Sequence, residues 1–112
     1  MAIRETYSSD RVLDALGNQI RRDILSHLRR KPMAVGAIAA RFPISRPAIS
    51  KHLRLLEEAG LVEHSAQGTS HIFQLQPGGF QLAHSYLEHF WSEALRNFQA
   101  AVREHTQEEE TS

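Results

Sequence analysis

The sequence predicts a mainly α-helical domain with one small β-hairpin, in the element order α-α-α-α-β-β-α, and predicts that it is dimeric. Helically spaced apolar residues recur along most of the chain, and two short β-compatible runs flank a Gln-Gly pair. The last helix is too apolar for a small monomer to cover. A chain of 112 residues buries roughly 65% of its unfolded surface, so we expect one domain over 1–112 with one modest core.

The first two helices have side-chain caps at their starts. Ser8 or Ser9 caps a helix that continues through Leu16, where a glycine ends it. Asn18 caps the second helix, which runs to about Arg30. It stops there because the following Lys-Pro pair disfavours helical geometry.

A third, short helix over residues 34–41 leads through a turn to Ser45, which caps a fourth helix from Arg46 to Ala59. At about 100° per residue, the fourth helix has two distinct faces. Its outward face carries Arg46, Pro47, Ser50, Lys51, Arg54, Glu57 and Glu58. Its inward face carries Ala48, Ile49, His52, Leu53, Leu55 and Leu56. We therefore expect His52 to be a hydrogen-bonded structural residue rather than a ligand.

The hairpin is predicted from the runs Leu61–Ala66 and Ser70–Gln76 around a Gln67-Gly68 tip, where glycine supplies positive φ. This tip would place His64 and His71 directly opposite each other across the strands. Such a pair could chelate a metal ion or unsettle the hairpin on protonation.

The last helix is predicted from Phe80 to about His105, after a Pro-Gly-Gly break, with a frayed acidic tail over 106–112. Its broad apolar surface requires a partner, and the simplest partner is a second copy of the chain. We predict a two-fold homodimer with an interface of Val12, Leu13, Leu16, Leu87, Phe90, Trp91, Ala94, Leu95 and Phe98. The alternative is a last helix that packs entirely within its own chain.

A net charge of zero conceals two oppositely charged regions. Residues 18–54 carry nine basic side chains against one acid, a net charge of +8. Residues 55–112 carry two basic side chains against nine acids, a net charge of −7. A basic patch on a neutral protein is expected where one face meets phosphate.

Several classes of function are excluded by composition and spacing. The absence of cysteine excludes disulfides, thiolate metal sites and cysteine nucleophiles. Ser50 and His52 lie some 200° apart on their helix and cannot form a catalytic pair, so we expect neither an enzyme nor a cofactor. No apolar stretch approaches the roughly 18 residues of a membrane span and the chain start lacks the layout of a secretion signal, so we expect a cytoplasmic protein.

Residues 45–62 follow the pattern S-x-P-x-x-S-x-H-L-x-x-L-x-x-A-G-L-V, preceded by a leucine-rich helix bearing Arg-Arg. This region resembles the core of the ArsR/SmtB-type bacterial repressors, and the resemblance covers roughly residues 10–76. It implies a winged helix-turn-helix in which 10–76 is the DNA-binding core and the hairpin is the wing. Residues after Phe80 fit the family only as a dimerisation helix, over about 80–105.

The resemblance implies that the outward face of the fourth helix enters the major groove of double-stranded operator DNA. Arg46, Ser50 and Arg54 are the candidates for base edges, since arginine reads guanine and serine serves either base type. The remaining candidates for DNA contact are Arg30, Lys31, Arg41, Ser45, Pro47, Lys51, Gln67 and Thr69. A homodimer would place its two helices in successive grooves about 34 Å apart on an inverted repeat.

The sequence departs from the family in its wing and in its metal sites. Residues 64–71 carry no fixed positive charge, and neither the cysteine site nor the histidine-carboxylate pattern of the family is present. The pairs His84/Glu88 and His89/Glu93 could each supply two ligands on one helical face, and a dimer could bring four together. Because two imidazoles are one or two ligands short of an ordinary zinc site, we predict no metal site. Two alternatives stay open: a repressor that responds to metal or pH through histidines, and a winged-helix protein-interaction module without DNA binding.

Overall fold

The structure, a computed structural model, describes residues 7–111, with side chains described for residues 7–108. Its elements are α1 (Ser9–Leu16), α2 (Gln19–Leu28), β1 (Met33–Ala34), α3 (Val35–Ala39), α4 (Arg46–Glu58), β2 (Val62–Gln67), β3 (Ser70–Leu75) and α5 (Pro77–Thr111). The predicted fold class is confirmed, with one short strand, β1, added. Residues 1–6 of the chain start and residue 112 of the predicted tail lie outside the described residues.

The ends of the helices are set by local chemistry that the sequence shows. Ser8, Asn18 and Ser45 each accept a hydrogen bond from the backbone N–H three residues on, at 3.2, 3.1 and 3.2 Å. Gly60 ends α4 in the left-handed region with φ 76°. The next N–H, that of Leu61, then donates to the Leu56 carbonyl at 3.0 Å, which completes a Schellman motif.

The core lies among the four N-terminal helices and the inner face of the sheet. Its most deeply buried side chains are Val12, Ile24, Ile38, Ile49, Leu53, Leu56, Leu61 and Val62. Ile49, Leu53 and Leu56 belong to the predicted inward face of α4, so that face is confirmed along its centre. Leu55 was also predicted to face inward but is 38% exposed, because it lies at the margin between the two faces.

Strand β1 could not be predicted from sequence pattern. It has two residues, Met33 and Ala34, which pair with Phe73 and Ile72 of β3 in an antiparallel sheet of order β1-β3-β2. Two residues are too few for an alternating pattern to be recognised. The strand exists because its backbone groups find partners on the free edge of β3.

The hairpin turn lies one residue later than predicted. Gln67 pairs with Ser70, so the two-residue turn is Gly68-Thr69. Gly68 has φ 63° and Thr69 has negative φ, the combination that a type II′ turn requires.

The shifted turn changes the register of the two wing histidines. His64 pairs with Phe73 and His71 pairs with Ala66, so the prediction that the histidines are directly opposed is wrong. They are diagonal neighbours on one face of the sheet, with ring centroids 5.3 Å apart.

Helix α5 begins at Pro77, inside the segment that was predicted to be a break. Proline is favoured at the first helical position, and Gly79 donates its N–H to the Gly60 carbonyl at 2.8 Å. A Cβ on Gly79 would lie 2.5 Å from the Ala59 carbonyl oxygen. The glycines therefore permit close approach of α5 to the α4–β2 turn. The helix continues through Thr111, where the sequence predicted a frayed tail from residue 106.

Most of α5 projects away from the core. Its packed apolar residues are Phe80, Leu82 and Ala83, all in its first two turns, and α1 packs alongside it as predicted. The radius of gyration is 20.2 Å, whereas a compact domain of this length has about 13 Å. None of the described helices, α5 included, is long and apolar enough to cross a membrane.

Candidate DNA-binding site

The outward face of α4 is open to solvent. Arg46, Ser50 and Arg54 recur every four residues on this face, and all three are exposed, as are Pro47 and Lys51. The buried Ile49, Leu53 and Leu56 hold the opposite side of the helix in the core. An exposed polar face on a helix is suited to the major groove, which admits one α-helix.

The first turn of α4 is fixed from two sides. The Ser45 Oγ accepts the Ala48 N–H at 3.2 Å, so this hydroxyl caps the helix. The Arg46 guanidinium lies above Gly36 of α3, where an added Cβ would be 3.7 Å from Nη1. Ser45 thus acts on the site by holding the start of α4, and Arg46 lies where α3 and α4 meet.

Two of the nine basic residues in 18–54 serve the fold and were missed as structural residues by the sequence analysis. Arg21 donates from Nε to the Ala15 carbonyl at 2.9 Å, and Arg22 donates from Nη1 to the Leu16 carbonyl at 2.8 Å. Both cap the C-terminal end of α1. The remaining seven are all exposed: Arg29, Arg30, Lys31, Arg41, Arg46, Lys51 and Arg54.

Four of these exposed cations line one concavity of about 390 Å³ beside the end of α2. Its lining is Ser26, His27, Arg29, Arg30, Lys31, Met33 and Arg41. The lining contains no carboxylate, so the concavity concentrates positive charge and suits the negatively charged phosphodiester backbone. The cluster at 29–31 and Arg41, which the sequence could place only in separate segments, thus form one surface.

The wing is neutral at its tip and tied to α4 at its base. Residues 64–71 are all exposed, and Gln67 and Thr69 lie at the turn. His64 Nδ1 lies 2.9 Å from both carboxylate oxygens of Glu57. The acidic end of α4 is therefore directed to the wing strand. Among the described side chains, no group of three or more His, Cys, Asp or Glu is placed to hold a metal ion.

His52 is half-buried on the inner side of α4, where its Nδ1 lies 3.2 Å from Arg21 Nη1. The structural role predicted for His52 matches this contact. Burial lowers the pKa of His52 below its usual value of 6.5, and the nearby Arg21 and Lys51 cations lower it further.

The projecting part of α5 exposes large apolar side chains. Leu87, Phe90, Trp91 and Phe98 are 56%, 65%, 61% and 66% exposed. Four other predicted interface residues, Leu13, Leu16, Ala94 and Leu95, are half-buried. Val12, in contrast, is 0% exposed in the core, because α1 turns it inward, and it is no surface residue.

The helices α1 to α3, the recognition helix α4 (the reading helix) and the β-hairpin together define a winged helix-turn-helix, a fold found in many DNA-binding transcriptional regulators. A family model described as a helix-turn-helix domain matches residues 16–65. The HTH-type transcriptional regulator Rv2034 of Mycobacterium tuberculosis is 42% identical over 94 residues, which cover 83% of this chain and 88% of the relative.

Two solved structures extend the likeness to the fold. An ArsR-like transcriptional regulator from Rhodococcus sp. RHA1 is 31% identical with a TM-score of 0.77, over 84% of this chain and 86% of that one. A homodimeric winged helix-turn-helix DNA-binding domain from Mycobacterium bovis is 30% identical with a TM-score of 0.59, over 79% of this chain and 82% of that one. The chain belongs to the ArsR/SmtB-type family of winged helix-turn-helix transcriptional regulators, and it is a DNA-binding regulator.

Proposed function

We propose that the protein is a homodimeric repressor that binds an inverted-repeat operator by inserting α4 of each protomer into the major groove. The observation that carries the proposal is the exposed row Arg46, Ser50 and Arg54, held outward by the buried opposite face of α4. Occupancy of the operator would block transcription. Repression follows from the resemblance to the repressor family. A protein that acts on the bacterial chromosome would work in the cytoplasm, and binding an operator would require no enzymatic activity.

The exposed residues divide into base contacts and backbone contacts. Arg46 and Arg54 can each donate two hydrogen bonds to guanine, and the Ser50 hydroxyl can donate or accept. Lys51 and the basic concavity would bind phosphates, which fix the register of the protein without reading sequence. Pro47 lies beside these residues and would make only van der Waals contacts with the wall of the groove.

The neutral wing makes the basic concavity the main source of positive charge outside α4. Gln67 and Thr69 can contact the backbone only through an amide and a hydroxyl, so they release no counterion. Arg29, Arg30, Lys31 and Arg41 can each neutralise a phosphate. We expect the salt dependence of binding to come from α4 and this concavity.

The dimer would form along α5, with α1 beside it. Leu87, Trp91, Ala94 and Phe98 are spaced by four, three and four residues, which aligns them on one side of a helix that meets another helix. The exposed parts of Leu87, Phe90, Trp91 and Phe98 amount to roughly 500 Å² of apolar surface per protomer. With their neighbours they approach the roughly 800 Å² per partner of a stable interface. The DNA-binding core would thus be residues 10–76 and the dimerisation helix would follow it.

The first prediction compares a base-reading arginine with a phosphate-binding lysine. Arg54→Ala should weaken operator binding by about 1 to 3 kcal/mol and relax selectivity at one base position of each half-site. Lys31→Ala should weaken binding to all sequences alike and reduce the slope of log K against log salt by about 0.9 per half-site. Fluorescence anisotropy with single-base operator variants across a salt series measures both effects.

Arg96→Ala is the matched control, because Arg96 is an exposed arginine on α5, away from α4. The operator is sought first in the DNA upstream of the protein's own gene, where a specific site should bind at roughly 10⁻⁸ to 10⁻¹¹ M. Loss of affinity in the Arg96 variant equal to that in the Arg54 variant would contradict the assignment of α4 as the reading helix.

A further inference from the structure

We propose that Arg21 and His52 are positioning residues whose contact, the Arg21–His52 lock, holds α4 in a fixed orientation relative to α1, which packs against α5. We propose further that this orientation sets operator affinity. The inference rests on the proposed function, because it concerns how the same helix is held for DNA. Neither side chain belongs to the exposed reading face. Their effect on DNA binding would act through the orientation of α4.

One guanidinium joins three helices at this junction. Arg21 of α2 donates from Nε to the Ala15 carbonyl at 2.9 Å and from Nη2 to the Asp14 carbonyl at 3.2 Å, both in the last turn of α1. Its Nη1 lies 3.2 Å from His52 Nδ1, near the middle of α4. The planar fork of arginine can satisfy these three acceptors at once, which the single ammonium group of lysine cannot do in the same geometry.

The junction connects the two functional surfaces. α1 packs against α5, which carries the exposed apolar residues of the proposed dimer interface. His52 lies two residues after Ser50 and two before Arg54, which are on the reading face. A change in the α1–α5 pair is therefore transmitted to α4 through one charged side chain instead of through apolar packing alone.

The Arg21 contact requires His52 to be neutral. Arg21 only donates, so His52 Nδ1 must accept, and the ring proton must lie on Nε2. A protonated imidazole has no lone pair on Nδ1 and would repel the guanidinium. Among residues 7–108, the charged groups around the junction are Arg11 and Asp14 of α1, Arg21 of α2, and Lys51 and Glu58 of α4.

The lowered pKa of His52 agrees with a neutral ring. The folded protein binds the second ring proton of His52 more weakly than the unfolded chain does. The Arg21–His52 contact therefore stabilises the fold fully above the usual pKa of 6.5. It is lost as the pH falls from that value through the lower pKa of the folded form. Operator affinity should fall over the same range, since only protomers with α4 correctly oriented bind well.

The test uses two substitutions in the full-length protein. His52→Leu keeps bulk but removes the acceptor, so at about pH 7.5 it should weaken operator binding about tenfold. It should leave affinity for non-specific DNA unchanged, because the phosphate-binding cations are untouched. His52→Asn keeps an acceptor at the Nδ1 position without a titrating group, so it should restore operator affinity.

The pH profile separates positioning from simple support of the fold. Between about pH 7.5 and pH 5.5, operator affinity should fall about fivefold more in the wild type than in the Asn variant. The other histidines are common to both proteins, so the difference reports on His52. Nitrogen NMR of the wild-type ring at neutral pH should find Nδ1 unprotonated.

Equal operator affinity in the wild type and the Leu variant, or identical pH profiles in the wild type and the Asn variant, would overturn the inference. So would a protonated Nδ1 at neutral pH. If the wild type preferred no operator sequence, the proposed function would fail instead. The lock would then be judged by hydrogen exchange of the α4 amides, which the Leu variant should accelerate and the Asn variant should not.

Discussion

Replacing Phe90 and Trp91 together with glutamate is expected to dissociate the proposed dimer and to weaken operator binding strongly. Both rings are more than 60% exposed in the protomer, so the substitutions leave the core intact while burying two charges in any α5–α5 interface. Each protomer would then bind one half-site alone, and the loss of bivalent binding should lower affinity about 100-fold or more.

Sedimentation measures the first effect and anisotropy measures the second. The wild type should sediment at about twice the chain mass of 12.7 kDa, and the double variant at the chain mass. Gln81→Glu is the control, because Gln81 is an exposed polar residue on the same helix outside the apolar surface. A monomeric wild type that binds the operator, or a dimeric double variant, would contradict the proposed interface.

Gly79→Ala is expected to destabilise the fold severely. The added Cβ would lie 2.5 Å from the Ala59 carbonyl oxygen and 2.8 Å from the Gly60 carbonyl oxygen. Both contacts are with backbone, so no side-chain rotation relieves them, and the bond from Gly79 N–H to the Gly60 carbonyl would be strained or lost. We expect a loss of about 3 kcal/mol or more in the free energy of unfolding, measured by urea denaturation.

Gly36→Ala is the matched control, and we expect it not to lower the free energy of unfolding. At Gly36 the added Cβ would lie 3.7 Å from Nη1 and 3.9 Å from Cζ of the Arg46 side chain, both ordinary van der Waals contacts. Because Gly36 lies within α3, alanine there should leave stability unchanged or raise it by about 0.5 to 1 kcal/mol. Equal destabilisation by the two substitutions would show that the close approach of α5 to the α4–β2 turn is not as described.

The reading helix could be predicted from sequence because each of its determinants is local. Ser45 supplies the cap within its own turn, Gly60 supplies the left-handed residue at the end, and the apolar residues between them repeat with the helical period. The two faces of α4 follow from that period at about 100° per residue, so the exposed row of Arg46, Ser50 and Arg54 needs no knowledge of the rest of the fold.

The errors in prediction concern contacts between distant segments. The predicted break before α5 is the first turn of that helix, because whether Pro-Gly-Gly ends a segment or permits close packing depends on what lies beside it. The hairpin turn moved by one residue because a Gln-Gly tip and a Gly-Thr tip are both compatible with the flanking runs. Strand β1 depends on β3, which comes some 40 residues later in the chain.

By itself the sequence determined the order of the helices and hairpin, the limits of α4, the charge of its outward face and the family. Only the tertiary structure decided that Val12 is core while Phe90 is surface, and that Arg21 holds His52. It also brought the cations at 29–31 and Arg41 into one concavity. The physical reason is that caps and helical faces depend on neighbours within a few residues, whereas burial and side-chain partners depend on how separate elements pack.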